Sequence, residues 1–521
     1  MTPYVSLVEA VPLLGAVAVA AVPKGDDETV KRVALGFSLG AFVISLLMLT
    51  HFHASSTHAF QLVEDHPWIA AFGIHYKVGI DGVALAMVLL TTFLTPIVLL
   101  ASWNQATRVK TFFALFLVLE TAMVGVFSAL DLFLFYVFFE AMLVPMYFLI
   151  GVYGGERRVY AAVKFFLYTL LAGLLMLTSI LVLYFMSRSQ ATAIGAGVHG
   201  TFDYERLLLL AMNSTTAKWL FLGFFVAFAV KVPVFPFHTW LPDAHTEAPT
   251  GGSVILAAVM LKIGTFGFIR YAIPLFPSAA RYFATPMMVL GVIGILYGSL
   301  VAVMQKDVKR LVAYTSVAHL GFIVVGIFAF SRQSGAGGVL YMVNHGLSTG
   351  ALFLIIGFLY ERRHTRLIEE YGGVQSVAPM LAGAFLIAGL SSLALPGLNG
   401  FVSEFLVLLG TFGRHRAIGV LATFGIVLAA LYILIAYQRT MTGPITVEAN
   451  KSLPDLSLRE KWVIAPVLGL IVALGVYPRP VLDAVRPSVE RMLDRVNRQE
   501  PGPTLGGTAG SDATVQIGAT P

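Results

Sequence analysis

Long apolar stretches separated by short polar turns fill the chain from near its start to about residue 480, and each is close to the roughly 20 residues a helix needs to cross a bilayer. Fourteen runs stand out, near 4–23, 30–51, 82–103, 111–130, 131–152, 160–186, 217–240, 253–274, 281–304, 310–330, 336–360, 377–411, 417–441 and 461–478. They are continuous rather than alternating, which excludes a transmembrane strand barrel. No Lys or Arg precedes the first run and a second run follows it, so it reads as a membrane helix rather than a signal peptide. The pattern predicts an all-α polytopic membrane protein of about fourteen transmembrane helices.

Two runs are interrupted, the seventh by Pro233 and Pro236 just after Lys231, and the twelfth by Leu395-Pro396-Gly397-Leu398-Asn399-Gly400. Proline removes a backbone donor and clashes with the preceding turn, so helices 7 and 12 should be broken inside the membrane. The breaks lie five helices apart, which suggests two five-helix units, helices 4–8 and 9–13. Faint self-similarity agrees: Gly173 and Gly350 each head a small-then-large stretch, Gly173-Leu174-Leu175-Met176-Leu177 and Gly350-Ala351-Leu352-Phe353-Leu354. Directly joined units of odd helix number have inverted topology, the plan of many secondary transporters with a site at the midplane. The expected segments are 1–110 (helices 1–3), 111–275 (first repeat), 276–441 (second, inverted repeat), 442–480 (helix 14) and 481–521, an exposed, partly disordered tail.

Composition sharpens this picture. Of 521 residues 58% are apolar and 12% charged, against about 25% charged in soluble domains, so a soluble globular protein is excluded. The net charge of +6 needs no nucleic-acid partner, because Lys and Arg collect on alternate loops, eighteen on odd-numbered and nine on even-numbered ones. By the positive-inside bias the odd loops are cytoplasmic and both termini lie outside. Without cysteine the chain has no disulfide, thiolate-bound zinc, iron-sulfur cluster or covalently attached haem. Any redox chemistry belongs to a partner.

Six of the ionisable residues inside the apolar runs carry the argument: Glu140 in helix 5, Lys231 at the break of helix 7, Lys262 in helix 8, His319 and His345 in helices 10 and 11, and Glu404 after the break of helix 12. A charge at the bilayer centre costs about 2.5 kcal/mol or more on insertion scales, so each demands a reason. Singly they could be structural ion pairs, or packed histidines. Together, over two repeats and beside two breaks, they form a series that can pass protons. Glu120, mid-helix 4, is either a secondary partner or a packing group, and Asp131 reads as a helix N-cap. His238 and His245 stand seven residues apart, but the prolines of that segment, Pro242 and Pro249, interrupt the helix and soft ligands are missing, which argues against a metal. Gly195 to Gly200 spells a dinucleotide fingerprint by letters, yet follows a membrane helix rather than a strand.

These residues lie in motifs that resemble the antiporter-like M subunits of respiratory complex I. Phe135 to Met146 resembles the family's fifth helix, Lys231 through Pro249 and on to Lys262 its seventh and eighth, Tyr314 to Phe322 its tenth, and Pro396 to Phe405 its broken twelfth. The likeness runs from about Gly79 to Tyr437. One departure is that Thr315 and Ala318 stand where serines are common before the tenth-helix histidine. The resemblance implies a proton-translocating membrane-arm subunit of a NADH:quinone oxidoreductase, an enzyme subunit without its own redox centre, in a bacterial plasma membrane. Glu140 and Lys231 would be an ion pair, Lys262 the central lysine, and His319 and His345 a bridge toward Glu404, with His238 steadying or hydrating the site. Glu404 marks the M type where the other large antiporter-like subunits carry lysine, and no long lateral helix follows helix 14 as in the L type. NADH, FMN, iron-sulfur clusters and quinone would sit on partner subunits, with L-type and N-type antiporter-like neighbours beside this chain. The alternative is a subunit of a multisubunit cation/proton antiporter.

Overall fold

A computed structural model describes residues 2–196 and 199–497. Helices α1 (Tyr4–Ala21) and α2 (Asp27–His51) are followed by an antiparallel hairpin, β1 (Gln61–Ile69) and β2 (Ile74–Ile80). Then come α3 (Gly82–Ala101), α4 (Val109–Ser128), α5 (Leu132–Ala141), α6 (Leu143–Tyr153) and α7 (Arg158–Ser189). After a long loop follow α8 (Ser214–Lys231), α9 (Trp240–Glu247), α10 (Thr250–Leu275), α11 (Pro277–Val303), α12 (Val308–Phe328) and α13 (Arg332–Arg363). The last elements are α14 (Pro379–Ser392), α15 (Asn399–Arg414), α16 (Arg416–Met441), α17 (Leu458–Val476) and α18 (Arg479–Asn497).

Among the described residues eleven spans are long and apolar enough to cross a membrane, or twelve if α17 and α18, bent by 71°, count as one. The shortfall from fourteen lies at the interrupted runs and the end of the chain. Helix α8 stops at Lys231, and 377–411 divides into α14 and α15. The fifth run is divided as well, between α5 and α6 at Met142. Pro145 accounts for that break, since its ring displaces the carbonyl four residues back and it has no N–H to give it.

Helix starts are fixed by short polar side chains that accept the unpaired first-turn N–H groups. Asp26, Asp81, Asn213, Asp307 and Ser331 cap α2, α3, α8, α12 and α13, and Ser457 with Glu460 forms a reciprocal capping box on α17. Asp131 caps α5, as its position after an apolar run predicted, accepting from Phe133 and Leu134 and also from the His75 N–H of the hairpin.

Burial sorts the helices into a centre and a periphery. The apolar windows of α10 and α13 are wholly enclosed and that of α12 is 94% buried, whereas α1, α2, α7 and α16 bury less than two fifths of theirs. On the face carrying the N-terminus, Lys77 of the hairpin bonds Asp203 at 2.5 Å and Glu205 at 2.9 Å. Burial works against its ammonium, but the two carboxylates outweigh that and hold its pKa above the usual lysine value. The 481–521 tail, expected to be exposed, begins instead within a docked helix: Leu482, Val485, Val489, Met492 and Leu493 of α18 are buried. Its apolar positions recur at helical spacing, and of the tail, residues 498–521, including the stretch read as disordered, lie outside the described residues.

Replacing Asp131 with Ala is expected to destabilise the fold by about 1–2 kcal/mol, the size of a lost N-cap. A lower thermal midpoint in detergent would show it.

Candidate functional site

Four central helices bring a row of polar groups into the apolar core. Lys262 projects from α10, whose regular turns give way to π-helical ones at Leu256–Met260 and Phe268–Ala272, on either side of it. Such wide turns take carbonyls out of the ordinary ladder and recur at functional sites. Lys262 is fully buried; its Nζ lies 2.5 Å from the Ala257 carbonyl and 2.5 Å from Nδ1 of His345 on α13. A charged lysine there donates to Nδ1, which fixes the neutral imidazole with its proton on Nε2.

The row continues from His345. Its ring centroid is 5.3 Å from that of His319 on α12, whose Nδ1 is 2.6 Å from the Tyr341 hydroxyl. Tyr341 in turn donates to Glu404 Oε1 on α15. With the tyrosine proton spent on the carboxylate, the Nδ1–H of His319 must donate to the tyrosine oxygen. On the other side of that ring, Nε2 meets the Ser392 hydroxyl at 3.1 Å and the Tyr432 hydroxyl at 3.2 Å. His319 Nδ1 also lies 3.6 Å from Glu404 Oε1, near enough for an ion pair once the ring is protonated. All these side chains are at most 3% exposed. The break before α15 is stitched by neighbours: Asn344 donates to the Asn399 carbonyl at 2.7 Å, and Ser391 to Asn399 Oδ1 at 2.5 Å.

Glu140 and Lys231 form the other end of the site, without the direct ion pair that the resemblance implied. They attract across a gap, yet no hydrogen bond reaches either Glu140 oxygen or Lys231 Nζ. The ammonium instead stands 4.9 Å from the Phe139 ring centroid and 5.8 Å from that of Phe165, in the arrangement of a cation over π faces. The carboxylate occupies a place left by Gly173 on α7, where a Cβ would come within 1.8 Å of Oε1. Lys231 closes α8, and the freed Val230 carbonyl is taken by the Trp240 indole at 2.9 Å.

The remaining candidates stand apart. Glu120 is fully buried on α4 and accepts from Ser38 at 2.9 Å. His238 lies in the α8–α9 connection, its ring 5.6 Å from that of Phe235 and 5.1 Å from that of Tyr297. His245 stacks on Phe353 at 4.9 Å. Among the described residues no three His, Asp or Glu side chains converge as a metal site. The glycine-rich letters at 195–200 follow α7, and residues 197 and 198 lie outside the described residues. Sequence reasoning passed over Tyr341, Ser392 and Tyr432. Only Tyr341 carried a signal, standing one turn from His345 on the same face of α13.

A buried acid–imidazole–amine row across packed, interrupted helices defines a membrane protein of the antiporter-like class, and the family described as NADH:quinone oxidoreductase/Mrp antiporter, TM, matches residues 129–429. Similarity extends well beyond that core. The NADH-quinone oxidoreductase subunit M of Mycobacterium tuberculosis is 43% identical over 540 aligned residues, covering 96% of each chain, and that of Rhodobacter capsulatus is 44% identical over 500, covering 95% of this chain and 97% of its own. A chain of the respiratory complex I from Thermus thermophilus with bound NADH superposes with a TM-score of 0.84 at 31% identity, covering 94% of this chain and 99% of that one. The chain belongs to the NADH-quinone oxidoreductase subunit M family, the antiporter-like membrane subunits of complex I.

Tyr341→Phe removes the hydroxyl that bonds Glu404 and leaves a buried carboxylate short of a donor, at a cost of about 1–3 kcal/mol. A lowered thermal midpoint, absent from Glu404→Gln/Tyr341→Phe relative to Glu404→Gln alone, would assign the loss to that bond. Gly173→Ala is expected to mimic Glu140→Gln in any proton-pumping assay, because the new methyl and the carboxylate cannot share the space.

Proposed function

We propose that this chain translocates protons as a membrane-arm subunit of NADH:quinone oxidoreductase, coupling quinone reduction elsewhere in the complex to proton movement through Glu140, Lys231, Lys262, His345, His319 and Glu404. The observation that carries the reading is the packed series from Lys262 through His345, His319 and Tyr341 to Glu404, hydrogen-bonded at each step except between the two imidazoles, whose rings lie 5.3 Å apart with His345 Nε2 unpartnered. Every member of it is buried, and every member except the tyrosine is an acid, an imidazole or an amine, each able to hold or release a proton.

In this reading the separation of Glu140 from Lys231 is one setting of a switch. Closing the gap stabilises the Lys231 ammonium and the Glu140 carboxylate together, and opening it leaves Lys231 free to repel the next cation inward. A proton on Lys262 passes to His345 Nδ1 as the Nε2 proton leaves toward His319. Protonated His319 then pairs with Glu404 over the 3.6 Å already between them. Tyr341 positions that carboxylate. Glu120 and His238 play secondary parts, the first as a buried acid beside α2 and the second by bracing the α8–α9 connection.

The architecture behind this is fourteen crossings in two inverted five-helix repeats, α4 to α10 and α11 to α16. The crossings beyond those counted by length run through Lys231, through the α14–α15 pair and along α17. Odd loops face the cytoplasm of a bacterial cell, both termini face outward, and L-type and N-type antiporter-like subunits flank the chain. NADH, flavin, iron-sulfur clusters and quinone belong to other subunits.

Lys262→Arg keeps the charge but not the readily released proton. Assembled complexes carrying it, or Lys231→Ala or Glu404→Gln, are expected to lose proton pumping in vesicles. Full pumping by all three in assembled complexes would sink the relay.

A further inference from the structure

We propose that protons leave Glu404 toward the face carrying the N-terminus through a one-turn apolar constriction, with Val407 as its plug and Ser334 and Thr411 as the receiving hydroxyls. The proposal rests on the relay reading above and assigns it an exit.

Two helix faces carry the argument. On α15 the buried stripe runs Glu404, Val407, Thr411, spaced three and four, so Glu404 and Thr411 lie about 10 Å apart along the axis with Val407 between them. On α13 the facing stripe runs Tyr341, Gly338 and Gly337, Ser334 over the same two turns. The stripes are in register at both ends. Tyr341 donates to Glu404, and at the far end a Cβ on Gly410 would lie 2.4 Å from the Ser334 nitrogen and 2.7 Å from Ser331 Oγ. Each reads polar, apolar, polar.

The middle turn is closed by bare backbone. A Cβ on Gly337 would fall 2.7 Å from Leu406 Cβ and 2.9 Å from the Val407 nitrogen, and one on Gly326 of α12 would fall 2.8 Å from Val407 Cγ2. Glycine at both positions lets two helices close on Val407, which is 0% exposed. Beyond the constriction the protein opens. A cavity of about 480 Å³ is lined by Ser331, Arg332, Gly410, Gly413, Arg414 and Asp494 among others, and the Ser331 hydroxyl at its floor donates to Ser334 at 2.9 Å.

Polar atoms without partners stand on either side of the plug. Glu404 Oε2 and Thr411 Oγ1 have no hydrogen-bond partner, in residues 1% and 0% exposed. A buried hydroxyl or carboxylate oxygen left so is costly unless something transient bonds it. Hydrophobic constrictions gate by dewetting, and a pump needs its exit dry for most of the cycle, since a standing water file from Glu404 to the cavity would let protons run back. A water file joining the two polar ends requires Val407 to move aside, and in this scheme it does so while Glu404 is protonated.

The test uses assembled complex in proteoliposomes, with a pH-sensitive dye and NADH oxidation as the common denominator. Val407→Thr, nearly isosteric, wets the constriction and is expected to speed collapse of the proton gradient several-fold after NADH is exhausted. Thr411→Val and Ser334→Ala are expected to lower protons moved per NADH. If Glu404→Gln abolishes pumping by this subunit while Val407→Thr adds no leak and Thr411→Val with Ser334→Ala costs no protons, the exit assignment is overturned and the relay stands. If Glu404→Gln itself pumps fully, the relay falls and takes the exit with it. Should Val407→Thr fail to assemble, Val407→Ala takes its place, with the same leak expected and its absence equally decisive.

Discussion

The 2.5 Å contact between Lys262 and His345 is the interaction on which the arrangement depends, because an ammonium at the centre of a hydrocarbon slab is tolerable only with a partner that accepts from it. Everything around it serves that need. The π-helical turns of α10 offer the Ala257 carbonyl, full enclosure of α10 and α13 keeps the medium apolar, and a second imidazole, tilted against the first at 5.3 Å, extends the polar row. In such surroundings small shifts in neighbouring charge count for far more than they do in water. That sensitivity makes the row usable as a relay, and the same low dielectric penalises any member that loses its bond.

The acceptor side of the row is organised by hydroxyls rather than charges. Tyr341 sits between His319 and Glu404 and settles the direction of both bonds, while Ser392 and Tyr432 hold the far nitrogen of the same ring. Fixed directions matter for a proton path, since each transfer needs a filled donor facing an empty acceptor. At the other end no hydroxyl bridges Glu140 to Lys231, and the aromatic faces of Phe139 and Phe165 keep the ammonium company without binding it to a geometry. One end of the site is held by directed bonds and the other is not.

Much of this was legible in the sequence because the bilayer makes polar residues conspicuous. Lys231, Lys262 and Glu404 announced themselves by standing in apolar runs, and the prolines at 233, 236 and 396 marked where helices stop. Apart from Tyr341, one turn from His345, the hydroxyl-bearing members were invisible for the complementary reason: tyrosine and serine are common in membrane helices, and nothing in its spacing separates Tyr432 from a packing residue. The contact between Glu140 and Lys231 was expected from motif alone, and three-dimensional spacing, which no motif encodes, leaves them apart. The interruption at Met142 was missed although Pro145 was in plain view, since an apolar run hides a kink. The last helix was passed over because its apolar positions alternate with arginines and form no continuous run of the kind that marks a membrane helix.

That last helix has a mechanical consequence. Arginines on α18 reach the carbonyls of Ala59, Pro274 and Leu208, and Arg281 reaches back to Val496, while the same helix packs against α13. The ties run to the N-terminal segment, to the helices before α11 and to those after it. Carriers that alternate access swing one bundle against another, and a swing here would tear this brace at every turnover. Under the proposed relay the braced subunit would behave less like a lever than like a capacitor: its plates would stay put, and the work would pass through it as displaced charge.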